Sequence, residues 1–403
     1  MKAKCSGTLL RFFLVVTLGL ILATYASAAE KSSLIRVNVG IKPHLSVLDD
    51  DDIAAQYGGK KILNIPAIRL KTYKLPSAAY QGFRDKLLAS GRVAFVERDV
   101  QRMIPIGESP VTADYAPDDP RYPLQWGPSC IGAEQAWDHE ILWGRPELIV
   151  AVIDTGIDLD HPDLAGSVDL SIDYDFVNND DEAMDDNGHG THCAGIIAAG
   201  FNNSIGIAGL QDVTLMAVKG LNAAGAGWDS VLAECIVYAT DNGAKVLSNS
   251  WGSLRSSSTL AQATYYAYTQ GAVVVAAAGN YGTQREHFPA AYPWVLGVAA
   301  LEDCDTKAGY SSYGARNVFI SAPGSNIWST YWNDSYASES GTSMACPHVA
   351  AVAAMWIGAY LDYVELTPNQ VMVLLATTAD DLGDPGKDIY FGWGRVNMFP
   401  WDD

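Results

Sequence analysis

The chain has 403 residues, 49% of them hydrophobic, and a formal net charge of −20. That is apolar material for a large buried core and, on length alone, for two or three domains, in a composition typical of a globular, soluble protein. So acidic a chain is not expected to bind nucleic acid, whose phosphates require basic surface.

From the N-terminus, Lys2, Lys4 and Arg11 lead into an apolar run over 12–23 and then Ala26-Ser27-Ala28. Basic head, apolar middle and small-residue cleavage site predict a secretory signal peptide over 1–28. The apolar run is too short for a transmembrane helix of about 20 residues. A secreted product, extracellular or periplasmic and without stable membrane association, is the expectation. Residues 29–114 carry 13 Lys and Arg against 10 Asp and Glu, whereas those from 115 onward carry 10 against 36, so the net charges are +3 and −26. Two pieces with different fates are implied, and their opposite signs favour association. In the first piece, 34–39 alternates like a strand, 77–90 has helical apolar spacing and 92–97 alternates again, which predicts a small α/β unit. The acidic run 49–52 is read as a solvated loop, because it lacks the glycine and spaced ligands of a calcium loop. Pro-rich, acidic residues over 105–123 suit an exposed linker that a protease can cut.

Beyond the linker, strand-like apolar runs at 148–153, 213–218, 244–247, 272–278 and 294–299 alternate with helical spacing at 192–199, 230–242, 260–270, 342–360 and 367–377. Such alternation predicts an α/β fold, a parallel sheet flanked by helices on both faces, with sites at strand ends and helix starts.

The chemistry concentrates in three segments. Gly341-Thr342-Ser343-Met344-Ala345-Cys346-Pro347-His348 sets a serine among small residues at the head of an apolar helix. There its backbone N–H and the helix dipole face developing negative charge. Asn187-Gly188-His189-Gly190-Thr191-His192 places an imidazole between glycines, and Asp154 ends the first apolar strand of the larger piece. A base to take a hydroxyl proton and a buried carboxylate to fix that base are what serine hydrolysis needs, and chain order separates its convergent solutions. The order Asp154, His189, Ser343 resembles that of the subtilisin-type serine proteases, the subtilases, and within them the thermitase branch and, more distantly, the proteinase K branch. The resemblance covers roughly residues 115–397.

That resemblance implies a subtilisin-like fold, preceded by a small inhibitor-type propeptide over 29–114 that covers the active site of a catalytic domain over 115–403. Tyr115-Ala116-Pro117-Asp118-Asp119-Pro120 resembles a mature N-terminus. Asn280, closing Val273-Val274-Val275-Ala276-Ala277-Ala278-Gly279-Asn280, matches the family's amide that donates to the oxyanion together with the Ser343 N–H. Ser250, Trp251 and Gly252 match the family's strand that pairs with an extended peptide substrate. Trp251 stands where an aliphatic residue is usual, and either narrows a distal subsite or belongs to the core. By the same resemblance Ala277, Ala278 and Gly279 line an uncharged primary pocket, which implies broad preference for apolar or aromatic residues, with Arg285 and Glu286 in the loop that floors it.

Calcium is the cofactor that the resemblance implies. Asp119, Asp163 and Asn203, with carbonyls of Gly200, Ile205 and Ile207, match one family site, and all-oxygen ligands suit this hard cation. Asp175 and Asp180, with Glu182 beside them, match a second. Without Cys5 of the signal, five cysteines remain and at least one stays free. Cys193 matches a free, buried cysteine of the thermitase and proteinase K branches. Cys130, Cys235 and Cys304 could supply one disulfide, its pairing open. His192 and His348 are read as structural. The expected protein is a secreted, calcium-stabilised serine endopeptidase, likewise expected to be a monomer. Its partners are protein and peptide substrates, with its own propeptide as intramolecular inhibitor.

Overall fold

The computed structural model describes residues 34–42, 50–103, 118–139, 142 and 144–399. The signal peptide expected over 1–28, Asp49 and the mature start expected near Tyr115 lie outside them. The chain divides into two compact units, one reaching Asp99 and the other starting at Val100.

In the first unit, β1 (Leu34–Ile41), α1 (Asp50–Gln56), β2 (Lys60–Ile65), β3 (Leu70–Pro76), α2 (Tyr80–Ala89) and β4 (Val93–Arg98) follow one another. The strands form an antiparallel sheet in the order β2-β3-β1-β4. Its core joins Val37, Val39, Tyr73 and Leu75 to Phe83 and Leu87 of α2. The acidic run expected to be a loop begins α1 instead. Asp51 in its first turn accepts from Lys61 Nζ, Lys71 Nζ and Tyr73 Oη at 2.5, 3.1 and 2.6 Å. Burial opposes its charge, but these donors hold the carboxyl well below its ordinary range.

The second unit contains, in order, β5 (Gln101–Met103), α3 (Trp126–Cys130), α4 (Ala133–Trp137), β6 (Ile149–Asp154), β7 (Tyr174–Asp175), α5 (His189–Ala198), β8 (Thr214–Lys219), β9 (Ala226–Trp228), α6 (Asp229–Asp241), β10 (Val246–Asn249) and α7 (Ser258–Thr269). After these come β11 (Val273–Ala277), β12 (Val295–Leu301), β13 (Ile320–Pro323), β14 (Ile327–Tyr331), β15 (Ser335–Glu339), α8 (Thr342–Tyr360) and α9 (Pro368–Thr378). Seven strands make one parallel sheet in the order β13-β12-β11-β10-β6-β8-β7. Its inner strands are apolar on both faces because helices cover both, as in other parallel sheets. Helices α5 and α8 pack on each other, and α6 packs on α7. Each fully buried valine or leucine here contributes about 1.5–3 kcal/mol.

Helix α8 is apolar all round and buried from Thr342 to Gly358, so its length and hydropathy mark a core helix enclosed by protein. The β14–β15 hairpin, β13 and the short β7 and β9 went unread in the sequence. Cys130 of α3 and Cys304 form the disulfide, closing the open pairing, and Cys193, Cys235 and Cys346 are free and buried. Burial pushes the Cys346 thiol up to about 11 and the other two well above their ordinary value, so all three are held as neutral thiols.

Candidate active site

Asp154 is the last residue of β6, His189 the first of α5, Ser343 the second of α8, and Asn280 lies just past the end of β11. The parallel sheet thereby delivers four distant segments to its carboxyl edge, where open α/β folds place their sites. Asp154, His189 and Ser343 are all buried, at 1%, 6% and 2% exposure.

His189 Nδ1 donates to Asp154 Oδ1 at 2.8 Å, and the Thr155 N–H donates to the same oxygen at 2.8 Å. Among the described residues, His189 Nε2 is buried without a hydrogen-bond partner. Burial disfavours the imidazolium, but the Asp154 carboxylate, together with the charges of Glu339 and Asp185, outweighs this, and the net shift of His189 is upward. The Ser343 hydroxyl donates to the Ser250 carbonyl at 3.1 Å.

Pro347 explains how Ser343 is held. It lies inside α8 and has no N–H, so the carbonyl four residues earlier, that of Ser343, lacks its helical donor. Ser250 Oγ at 2.9 Å and Cys193 Sγ at 3.5 Å supply the missing hydrogen bonds. Ser250 and Ser343 thus bind one another twice, side chain to carbonyl in each direction.

Asn280 is oriented by Thr342, whose backbone N–H and Oγ1 both donate to Asn280 Oδ1, at 2.9 and 2.8 Å. Thr342 Oγ1 also accepts from the Gly279 N–H at 3.0 Å. With its oxygen so engaged, the amide turns Nδ2 toward Gly341. A Cβ on Gly341 would stand 3.1 Å from Asn280 Nδ2 and 3.5 Å from Ser343 N. The glycine leaves open a space that both donors border.

Two supporting residues escaped the sequence reading. Asp185, 5% exposed, accepts from Thr155 Oγ1 at 2.8 Å, Thr191 Oγ1 at 2.6 Å and the Gly188 N–H at 3.0 Å, tying the turn before His189 to the residue after Asp154. Thr342 is the other; its signal was its place between Gly341 and Ser343. His192 Nε2 lies 3.0 Å from the Ile327 carbonyl and 3.2 Å from that of Ala337, so it pins the β14–β15 hairpin to α5. Burial lowers the His348 pKa to about 4 and leaves that ring neutral.

Ser250, Trp251 and Gly252 directly follow β10, and Ala277 ends β11 with Ala278 and Gly279 just past it, so the two expected walls continue from adjacent strands. The Trp251 side chain is core: it is fully buried and its Nε1 donates to the Ile153 carbonyl at 2.8 Å. The β6–β10 ladder ends at Val152 and Ser248, and the indole extends that link toward Asp154. Arg285 is exposed and Glu286 pairs with Arg316 at 2.6 Å.

The residues expected to hold a metal do converge around the 200–207 loop. Asp119 accepts from the Asn202 and Asn203 N–H groups at 2.7 and 3.0 Å, and Asp163 from Asn203 Nδ2 and the Ile207 N–H at 2.9 Å each. Tyr336 Oη also donates to Asp163, at 3.2 Å. Gly200 N donates to the Asp163 carbonyl at 2.8 Å, and the Ile205 N–H reaches Asn203 Oδ1 at 2.7 Å. Every hydrogen-bond partner of the two buried carboxylates among the described residues is neutral, and burial raises the Asp163 pKa. Two buried carboxylates without a cationic partner fit a bound cation. Asp175 and Asp180 are joined backbone to backbone at 2.9 and 3.2 Å. The Asp175 carboxylate is engaged by its own turn, through Val177 N, Asn178 N and Asn178 Nδ2 at 2.6–2.8 Å.

A sequence profile of the subtilase family matches residues 145–394. Thermitase of Thermoactinomyces vulgaris is 45% identical over 287 residues, covering 71% of this chain and 98% of thermitase. A thermophilic serine proteinase of Bacillus sp. strain AK1 is 42% identical over 289 residues, 71% of this chain and 69% of that protein. The crystal structure of fervidolysin from Fervidobacterium pennivorans, a keratinolytic enzyme related to subtilisin, superposes with a TM-score of 0.76 at 29% identity. That match covers 92% of this chain, which spans 61% of fervidolysin's length. A parallel seven-stranded sheet with flanking helices, an acid–base–hydroxyl set at its carboxyl edge and these likenesses lead to one assignment: the chain belongs to the subtilase family of subtilisin-type serine endopeptidases.

Proposed function

We propose that the protein is a secreted, calcium-stabilised serine endopeptidase that removes its own propeptide and then hydrolyses proteins and peptides as a monomer. Residues 1–28 are its signal peptide, 29–114 its propeptide and linker, and 115–403 its catalytic domain. The observation that carries the reading is the buried His189, tied through Nδ1 to Asp154 and left with an unpartnered basic Nε2 at the carboxyl edge where Ser343 also lies. Degradation of casein by the purified protein, abolished by a serine-directed covalent inhibitor, is the expected result; an inert protein that the inhibitor does not label would refute it.

Extended substrate adds along Ser250-Trp251-Gly252 through backbone hydrogen bonds. A substrate N–H that takes the Ser250 carbonyl competes with the Ser343 hydroxyl for it and turns that hydroxyl toward His189 Nε2. Ser343 Oγ then bonds to the scissile carbonyl carbon as His189 takes its proton, and Asp154 stabilises the imidazolium. The carbonyl oxygen becomes an oxyanion held by Asn280 Nδ2 and the Ser343 N–H. Collapse breaks the C–N bond, His189 protonates the leaving amine, and water repeats the sequence on the acyl ester. Pairing of β5 with β9, Gln101 opposite Trp228 and Met103 opposite Ala226, supports the propeptide reading, because the chain there lies as an added strand.

Because His189 must be neutral to accept the proton, its upward shift sets the acid limb of activity. The kcat/KM is expected to fall, as pH drops, through a midpoint above the ordinary imidazole value of 6.5. Asp154→Asn removes the chief charge responsible and should lower both the midpoint and the rate. A wild-type midpoint below 6.5 in a pH–rate profile contradicts this electrostatic account.

Asp119, Asp163 and Asn203, with the Gly200, Ile205 and Ile207 carbonyls, would hold calcium, which when bound neutralises the buried carboxylates and joins the mature N-terminus to the 200–207 loop. An ion bound only by the folded state adds about 2.7 kcal/mol at a hundredfold excess over Kd. For a domain of this size that is roughly 4–5 °C in Tm. Chelator should lower wild-type Tm by that amount and leave Asp163→Asn nearly unmoved; equal responses would place the main site elsewhere.

A further inference from the structure

Lys219 is the one Lys or Arg of the second unit that is buried among the described residues, at 1% exposure, and no step of the hydrolysis uses it. It ends β8 directly opposite Asp154, which ends β6. A lysine at a sheet edge can run its stem along the surface and leave its ammonium in water. This one turns inward instead. Its Nζ donates to the Thr155 carbonyl and to Asp186 Oδ1, the latter at 2.6 Å. Withdrawing an ammonium from water costs free energy even when it is paired. An apolar side chain of the same length would fill the space without that cost, but would donate nothing to the Thr155 carbonyl.

Both partners lead to the acid–base pair. The Thr155 N–H donates to Asp154 Oδ1 at 2.8 Å, while its Oγ1 donates to Asp185 Oδ1 at 2.8 Å and accepts from the Gly190 N–H at 3.0 Å. Asp186, Asn187 and Gly188 form the bend that leads into α5, and the His189 N–H donates to Asn187 Oδ1 at 3.2 Å. One ammonium thus joins the residue after Asp154 to the bend before His189. The end of β8 also grips Asp154 itself, because the Gly220 and Leu221 N–H groups both donate to the Asp154 carbonyl at 3.0 Å. Among the described residues Asp154 Oδ2 is buried without a hydrogen-bond partner. The hydrogen bonds that orient this carboxylate therefore converge on Oδ1, from His189 and Thr155, and a shift of Thr155 carries the carboxylate with it.

We propose that Lys219 is a positioning residue for hydrolysis: its buried ammonium locks Thr155 to the Asp186 bend and so fixes the Asp154 carboxylate in line with His189 Nδ1. The proposal rests on the reading of Asp154, His189 and Ser343 as a peptidase triad. Substrate adds along the continuation of β10, which lies on the other side of β6 from β8. Loss of the ammonium should therefore slow turnover and spare substrate binding.

The test is steady-state hydrolysis of a peptide p-nitroanilide by matured wild type, Lys219→Met and Asp186→Ala, with rates referred to active sites titrated by a serine-directed covalent inhibitor. Lys219→Met should lower kcat per site about 10²-fold, the loss that a displacement of about 1 Å in a catalytic group can cause, and leave KM unchanged within twofold. The low-field proton resonance of His189 Nδ1–H, which reports its hydrogen bond to Asp154, should move upfield in the same variant. Asp186→Ala removes one of the two acceptors from a half-exposed side chain. It should show the same changes on a smaller scale, about threefold to tenfold in kcat for one hydrogen bond, and it carries the test should the methionine variant fail to fold. A kcat per site within twofold of wild type, a loss carried by KM, or an unmoved resonance overturns the proposal, and a lowered Tm alone would then mark Lys219 as structural. Absence of wild-type turnover, with no labelling by the inhibitor, overturns the peptidase reading and this inference with it.

Discussion

Ser343→Ala is expected to lower kcat by about 10⁶ and to leave the full-length chain uncut. The magnitude is the one measured for the nucleophile of a related subtilisin, where triad members act as a unit. The geometry of this site adds that the substitution should be structurally mild. The lost hydroxyl makes one hydrogen bond, to the Ser250 carbonyl at 3.1 Å. The anchoring bonds of Ser250 and Cys193 go to the Ser343 carbonyl, which alanine keeps. Loss of activity with little loss of Tm therefore separates chemistry from folding. Because maturation is proposed to use the same hydroxyl, propeptide removal in purified Ser343→Ala protein would sink the self-processing claim while leaving the triad standing.

The parts of this fold that were legible in the sequence are those governed by local pattern. Strand β6 was expected over 148–153 and is found at Ile149–Asp154, and α8 was expected and found over 342–360. Apolar runs ending in Asp154 and Asn280, and glycines around His189 and Ser343, marked strand ends and helix starts in a parallel sheet, which is enough to gather these residues at one edge. The features that stayed hidden depend on contacts between distant segments. Nothing local distinguishes Cys304 from Cys235 as the partner of Cys130, 174 residues away from Cys304. The acidic run at Asp50–Asp52 looks like loop until Lys61, Lys71 and Tyr73 are brought to Asp51 from the adjoining strands. Trp251 gave no sign of which side of its strand it would take, and the deciding partner is the Ile153 carbonyl at the end of another strand's ladder.

Asn280→Leu is expected to lower kcat about 10²–10³-fold with little change in KM, since the amide is proposed to act on charge that exists only in the transition state. That range comes from the equivalent donor of a subtilisin and corresponds to about 2.7–4 kcal/mol. Thr342 supplies a sharper test, because its hydroxyl is proposed to reach the reaction only through Asn280. The Asn280 oxygen receives two hydrogen bonds, from the Thr342 N–H at 2.9 Å and from Oγ1 at 2.8 Å. Thr342→Val removes the second, and with it the acceptor of the Gly279 N–H, and keeps the first along with the shape of the side chain. The amide then retains one anchor but gains freedom to rotate Nδ2 away from the space beside Gly341. One neutral hydrogen bond is worth about 0.5–1.5 kcal/mol, so a loss in kcat of up to about tenfold is expected. Without the amide, the Thr342 hydroxyl keeps the Gly279 N–H as its partner, a contact proposed not to act on the oxyanion. The double variant should therefore be no slower than Asn280→Leu alone, a non-additivity equal in size to the Thr342→Val effect. Fully additive losses in a double-mutant cycle on kcat would show that the Thr342 hydroxyl acts on the oxyanion by a route of its own, and the positioning role assigned to it here would be wrong.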